Sequence, residues 1–475
     1  MYGKASIKYL NILTAILITA CIAWFKFEYH ELWKDEWQAW FVAKDKSIAD
    51  VFSFLYYEGH PVLWYLYLKI FAQFSNGNND FILLNIAHLI TVVSGLYFLF
   101  VKFRMPLVIK LILAASYFMF FEYGIVNRGY YLVILFAFWA VWLLSKNNYK
   151  PLHLAIVLFL LCQTEVYGTL MAGALSFYIL YNNYERREKL FSIPVFGLLA
   201  GLIIFIVSVF PRDTGHITRT SPGSWSLGDK FLIAVQGNLA NTYTPGLTKD
   251  TFTYGSTAAG LLLSLMIAIV LYFIFRKDRK VLVTMGLFLL SVIMFSFLIF
   301  TGGIRQWGMG FVFFIAMLQL TNTEWSKERG IIVVIALLSI FNIIHGFKAL
   351  KEDYTYPFSN AMETGNFIKA KVPEKVPVVA LNKFDATPVI GYAGRKFYEL
   401  PDGKPFSYFR WVDRIYVPTE GELQLFGKFK GVGGVILLSP KPIDSQRYPS
   451  ATLWKKFDGT NYKNENYYIY TLPVQ

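Results

Sequence analysis

The stretch His60–Phe74, HPVLWYLYLKIFAQF, decides how the rest of the chain is threaded. Pro61 suits the first turn of a helix, where its missing N–H costs nothing, and His60 stands at the entrance. Pro61–Phe74 is 14 residues. As an α-helix it measures about 21 Å, short of the roughly 30 Å hydrocarbon core of a bilayer. It is therefore expected to lie along a membrane surface. Counted as a span, it would invert every later apolar run and put five basic clusters holding 14 Lys and Arg on the wrong side.

Those apolar runs set the class. Ile7–Phe25, Phe81–Val101, Phe191–Phe210, Ala258–Phe275, Val281–Phe300 and Gly330–Phe347 each approach the length that crosses a bilayer. The chain of 475 residues is 55% hydrophobic and only 16% charged, which excludes an ordinary soluble enzyme. Ile7–Phe25 has no small-residue cleavage site before Lys26–Glu31 and reads as a retained first helix, not a signal peptide. The expected fold is a polytopic α-helical membrane protein of about 11 transmembrane helices, with interfacial helices in the first external loop.

The net charge of +14 would suggest a nucleic-acid partner in a soluble chain, but here it has a topological origin. Lys102/Arg104/Lys110, Lys146/Lys150, Arg186/Arg187/Lys189, Arg276/Lys277/Arg279/Lys280 and Lys327/Arg329 fall in short breaks between apolar runs. This is the positive-inside pattern, so no nucleic-acid partner is expected. It places the N-terminus in the cytoplasm and leaves residues 26–80 and 211–255 as external loops of a membrane domain, residues 1–347. Residues 348–475 are more polar, with strand-like runs at Pro377–Leu381 and Gly434–Leu438 and a helix-like Asp385–Ala393. They are expected to form a soluble α/β domain on the extracytoplasmic side. Cys21 and Cys162 lie in apolar runs and suggest neither a disulfide framework nor a metal cluster.

With that threading, the unusual polar residues gather on the external face: Asp35, Glu36, Glu58, His60, Glu122, Arg128, Glu165 and Arg305. Ionisable groups near membrane depth are costly and raise a functional hypothesis. In Trp33-Lys34-Asp35-Glu36-Trp37-Gln38-Ala39-Trp40 a carboxylate could take a proton from an attacking hydroxyl, and Trp37 and Trp40 could stack on sugar rings. The plainer reading makes Asp35 and Gln38 a capping box and the tryptophans interfacial anchors. Glu58 and His60 open the surface helix, where backbone N–H groups favour anions, although His60 could simply cap it. Arg128 and Arg305 stand against the charge bias. Their forked donors suit a phosphate, with snorkelling as the alternative. Glu165 and Glu122 could equally pair with these arginines.

Asp35-Glu36 with Trp40 after the first span, Glu58-Gly59-His60-Pro61 opening an amphipathic helix, and Asn127-Arg128-Gly129-Tyr130 after the third span resemble bacterial GT-C membrane glycosyltransferases. The resemblance is to relatives of protein O-mannosyltransferases and lipid A aminoarabinose transferases, over about residues 5–347. Val62 departs from the His-Pro-Pro typical of the family. The resemblance implies inverting transfer of a sugar from a polyprenyl-phosphate donor to a lipid or glycan acceptor of the cell envelope, at the outer face of the cytoplasmic membrane. Asp35 is then the base and Glu36 its orienting neighbour, while Glu58, His60, Arg128, Tyr130, Glu165, Arg305, Trp37 and Trp40 bind substrate. No obligatory metal is expected, a divalent cation being the alternative. A transporter or flippase for a lipid-linked sugar, or a non-catalytic scaffold of envelope assembly, are the competing readings.

Overall fold

The computed structural model describes residues 2–56, 58–146, 148–209, 226–246, 257–325, 327–411, 413–460 and 465–474. It contains five helices long and apolar enough to cross a membrane: Ser6–Glu28, Asp80–Lys102, Ala258–Phe275, Arg279–Leu298 and Arg329–Thr355. Much of their surface is left facing outward, as lipid-exposed helices require, with 17% of the first helix's apolar window buried. Shorter apolar helices include Leu63–Ala72, Tyr130–Leu144, Pro151–Cys162 and Ile193–Val209. Helix length and composition thus mark the chain as a membrane protein, with five candidate spans among the described residues. A helix does follow Pro61, but it is shorter than Pro61–Phe74, running over Leu63–Ala72. Residues 211–255 are not all loop: Leu227–Gln236 is a helix capped by Ser226, which accepts from the Asp229 N–H at 3.1 Å. Arg212, Asp213, His216 and Arg219 lie outside the described residues.

The chain divides into two compact units. The first comprises Met1–Trp24, Leu55–Trp64 and His88–Ala349 and is helical. Pro151 occupies the first position of its helix, where its fixed φ suits the turn. Helix Ile193–Val209 packs closely on Pro151–Cys162 because Gly197 lets the backbones meet; a Cβ there would lie 2.4 Å from the Ala155 carbonyl oxygen.

The second unit joins Leu350–Gln475 to Phe25–Phe54 and Tyr65–Ala87, so the first loop folds with the tail. Helix Arg329–Thr355 also runs past the expected boundary at residue 348. The two strand-like runs and the helix read from the tail are present as β1 Val378–Ala380, β4 Gly434–Ser439 and helix Lys383–Ala393, and four further strands join them: β2 Phe397–Glu399, β3 Lys404–Phe406, β5 Thr452–Phe457 and β6 Tyr467–Pro473. They form one mixed sheet in the order β3-β2-β1-β4-β6-β5, parallel where β1 meets β2 and β4. Val379, Leu423, Val435, Leu437 and Leu472 build its core. Asn382 caps helix Lys383–Ala393 by accepting from the Phe384 N–H, and Gly394, at φ 68°, ends it in the left-handed conformation that favours glycine.

Helix Lys34–Asp45 from the first loop lies against helix Lys383–Ala393. Gly391 makes the approach possible, since a Cβ there would stand 2.3 Å from the Trp37 ring. Gln38 completes the join with both halves of its amide, donating to the Phe409 carbonyl at 2.6 Å and accepting from the Phe409 N–H at 3.2 Å.

Candidate functional site

In the first unit, the polar residues singled out from the sequence converge. Gly59, at φ 70°, turns the chain sharply before His60, and the Leu63 N–H donates to the Gln163 carbonyl at 3.1 Å. That bond holds the helix entrance against the turn carrying Glu165. His60 Nδ1 then lies 2.8 Å from Glu165 Oε2. The other Glu165 oxygen faces Gly129, where a Cβ would come within 3.2 Å of it and of Trp64. A glycine after Arg128 is thus what lets this turn reach the carboxylate.

Tyr130 follows, buried, its hydroxyl accepting from Gln306 Nε2 at 3.0 Å. The Arg128 guanidinium is 5.9 Å from the centre of its ring. Arg305 precedes Gln306 and pairs through Nε with Glu122 Oε1 at 2.9 Å. Glu122 ends a π-helical turn, Tyr117–Glu122, which brings Tyr117 onto its face so that the phenol donates to Glu122 Oε2 at 2.6 Å. The Tyr123 hydroxyl donates to the Arg305 carbonyl at 2.5 Å. Glu165, Arg128, Arg305 and Glu122 all lie near enough to act electrostatically on Tyr130.

Burial disfavours a charge on His60, but Glu165 outweighs it by ion pairing and hydrogen bonding, helped by Glu58 and opposed by Arg128, so the imidazole pKa is raised. The cluster therefore presents two guanidiniums and an imidazole of raised pKa, with Arg305 set against Glu122 and His60 against Glu165. His60 and Arg305 keep 29% and 12% of their side chains exposed and can be reached from outside. Such an arrangement can bind and neutralise a phosphate.

Asp35, Glu36, Trp37 and Trp40 belong to the second unit, where their surroundings change what the sequence suggested. Trp37 and Trp40 are 0% exposed. Trp37 stacks on Phe41 at 5.6 Å and meets Tyr392 edge-on at 5.3 Å, so both tryptophans are core side chains with no face open to a sugar. Glu36 is also fully buried. The helix starts one residue before Asp35, and Glu36 reaches back to accept from the Trp33 N–H at 3.0 Å; the cap is Glu36's, not that of Asp35 with Gln38.

Glu36 also stands 3.4 Å from His30 Nε2, while His30 Nδ1 is 2.9 Å from Asp353 Oδ2. Burial would lower the His30 pKa, yet Asp353 and then Glu36 hold it up to about 9. Burial would raise the Glu36 pKa, but His30 and Lys26 keep it below the ordinary carboxylate value. Glu36 is thus a buried counter-ion. Asp35, in the first turn of the same helix, is half-buried and retains contact with solvent, near Lys34 and Glu465.

Sequence reasoning missed Tyr117, Tyr123, Gln306, His30 and Asp353. The cue for Tyr117 was its five-residue spacing from Glu122, which faces it only in a π-helical turn. His30 was visible as a histidine next to the acidic pair. Among the described residues, no three His, Cys, Asp or Glu side chains gather as ligands for a metal ion. Comparison with protein families, with curated proteins and with solved structures finds no match.

Proposed function

We propose that this chain is a multi-pass glycosyltransferase of the cytoplasmic membrane, moving a sugar from a polyprenyl-phosphate donor to a lipid or glycan acceptor on the extracytoplasmic face. The observation that carries the reading is the convergence of His60, Glu165, Arg128, Glu122 and Arg305 around Tyr130 from four separate stretches of chain. Arg128 and Arg305 bind the donor phosphate and stabilise the charge that grows on it as the bond to the sugar breaks. His60, whose pKa Glu165 raises, adds a hydrogen-bond donor to the same phosphate when protonated.

Asp35 is the base of the pair, since Glu36 is spent on His30 and the Trp33 N–H. In the reaction the acceptor hydroxyl gives its proton to the Asp35 carboxylate, and its oxygen attacks the anomeric carbon. The carbon–oxygen bond to the phosphate breaks on the opposite face, and the polyprenyl phosphate leaves with the electron pair, inverting the centre. The finer topology belongs to this reading: about 11 crossings, with shorter apolar helices completing the set, the N-terminus inside and residues 348–475 outside.

The test is Asp35→Asn in purified full-length protein, supplied with a defined polyprenyl-phosphate sugar. Transfer is expected to be abolished while thermal unfolding stays unchanged. Turnover near that of the parent would remove Asp35 as the base.

A further inference from the structure

The second unit holds a feature that the transfer reaction does not use: a half-open cavity of about 360 Å³ between the end of helix Lys34–Asp45 and the segment leading out of β3. It lies in the range of small-molecule sites. Its lining sets five cationic side chains against three carboxylates. At the base, Lys383 is 13% exposed and bridges Glu399 Oε2 at 2.8 Å and Asp413 Oδ2 at 3.0 Å. The third carboxylate, Asp45, is already held by Lys396 Nζ at 3.1 Å.

Every carboxylate of the lining therefore has a cation, and positive charge remains in excess. Lys46 supplies part of it: its ammonium sits 4.9 Å from the ring centres of both Phe54 and Tyr408. That placement fixes the charge in position at an aromatic wall. Lys404, 73% exposed at the rim, adds a further charge, shared with Asp402 just outside the lining at 3.0 Å. The net positive charge, two over the lining and one with Asp402 counted, suits an anion such as a phosphomonoester, which carries about −1.5 to −2 at neutral pH. Ammonium groups approaching from several directions suit a compact phosphate.

We propose that this cavity binds a small phosphorylated ligand, a phosphomonoester carried on a sugar-sized body, with Lys46, Lys396 and Lys404 neutralising the phosphate and Tyr408 flanking the body. The assignment is independent of the donor site in the other unit and of the transferase reading. The phosphate could be that of a free sugar phosphate or of a lipid headgroup, which have the same charge chemistry.

Full-length protein in phosphatidylcholine nanodiscs should be titrated calorimetrically with glucose 1-phosphate, and with glucose as the neutral control. Saturable binding of glucose 1-phosphate below about 10 mM is expected, weakened at least tenfold in the Lys396→Gln/Lys404→Gln double variant, with none for glucose. Both lysines are at least half exposed, so folding should be retained and is checked by thermal unfolding. Nanodiscs containing phosphatidic acid separate the sources. Loss of glucose 1-phosphate binding there assigns the phosphate to a headgroup; undiminished binding assigns it to a soluble ligand. Equal binding of glucose, unchanged affinity in the folded double variant, or no saturable binding of either phosphate would overturn the proposal.

Discussion

Two histidine–carboxylate pairs of nearly equal length serve opposite ends. His30 lies 2.9 Å from Asp353 with both side chains at 0% exposure, and His60 lies 2.8 Å from Glu165 with its ring 29% exposed. The bond chemistry is the same, so burial separates them. A sealed pair cannot exchange partners with a ligand and acts on folding. A pair with one open edge can hand its donor to a phosphate. His30 also has a second carboxylate, Glu36, whereas His60 has Arg128 nearby, a cation that would be drawn to the same anion.

The comparison breaks most readily at the sealed pair. His30→Ala would leave Asp353 and Glu36 without their counter-ion, and breaking a buried pair costs about 3–5 kcal/mol. Thermal unfolding should register that loss, while His60→Ala should unfold near the parent temperature and lose transfer instead. Equal destabilisation by the two variants would erase the distinction.

The sealed pair also sets a pH dependence. Because the His30 pKa is raised from 6.5 to about 9, its contribution to stability is complete below 6.5 and is lost as pH climbs through 9. The unfolding temperature should fall across that window, and His30→Gln should flatten the decline. Glu36, with a depressed pKa, works the other way: its contribution is present above 4.5 and fades as pH drops through its folded value.

At the open cluster, Arg128→Ala should lower kcat/KM for the polyprenyl-phosphate donor by about 100-fold, the scale of losing one preorganised donor to a developing anion. Unchanged donor dependence would remove Arg128 from the phosphate site. The smallest effect is expected from Glu165→Gln. Without that carboxylate His60 should give up its proton at a lower pH, and the alkaline limb of the activity profile should shift down accordingly. An unmoved limb would detach His60 from the pH response.

Much of the architecture was legible along the chain because local rules govern it. Apolar runs marked the long helices, and strand-like runs between Pro- and Gly-rich turns marked β1 and β4. The positive-inside pattern also selected, as unusual, the residues that meet around Tyr130. What could not be read depended on partners hundreds of residues away. Asp35 and Glu36 are neighbours of nearly identical chemistry, and only Asp353 and the turn at His30 determine that Glu36 is the sealed one. Trp37 and Trp40 carried the composition of a sugar platform or a membrane belt, but Gly391 made a socket for Trp37 that no local spacing reveals. The number of crossings was less legible for a related reason: apolar helices of 10–17 residues are long enough for a protein core but short for a bilayer, so length alone does not sort them.

The union of the first loop with the tail has a consequence for biosynthesis. Gln38 meets Phe409 across 371 positions of sequence, and His30 meets Asp353 across 323. At ribosomal speeds of about 5–20 residues per second, the loop must wait roughly 15–75 s for its partners to be made. Throughout that interval two bulky indoles and the Glu36 carboxylate lack the pocket that will enclose them. The nascent segment needs a temporary host, and the nearest one is the lipid headgroup layer, for which tryptophan has a natural affinity.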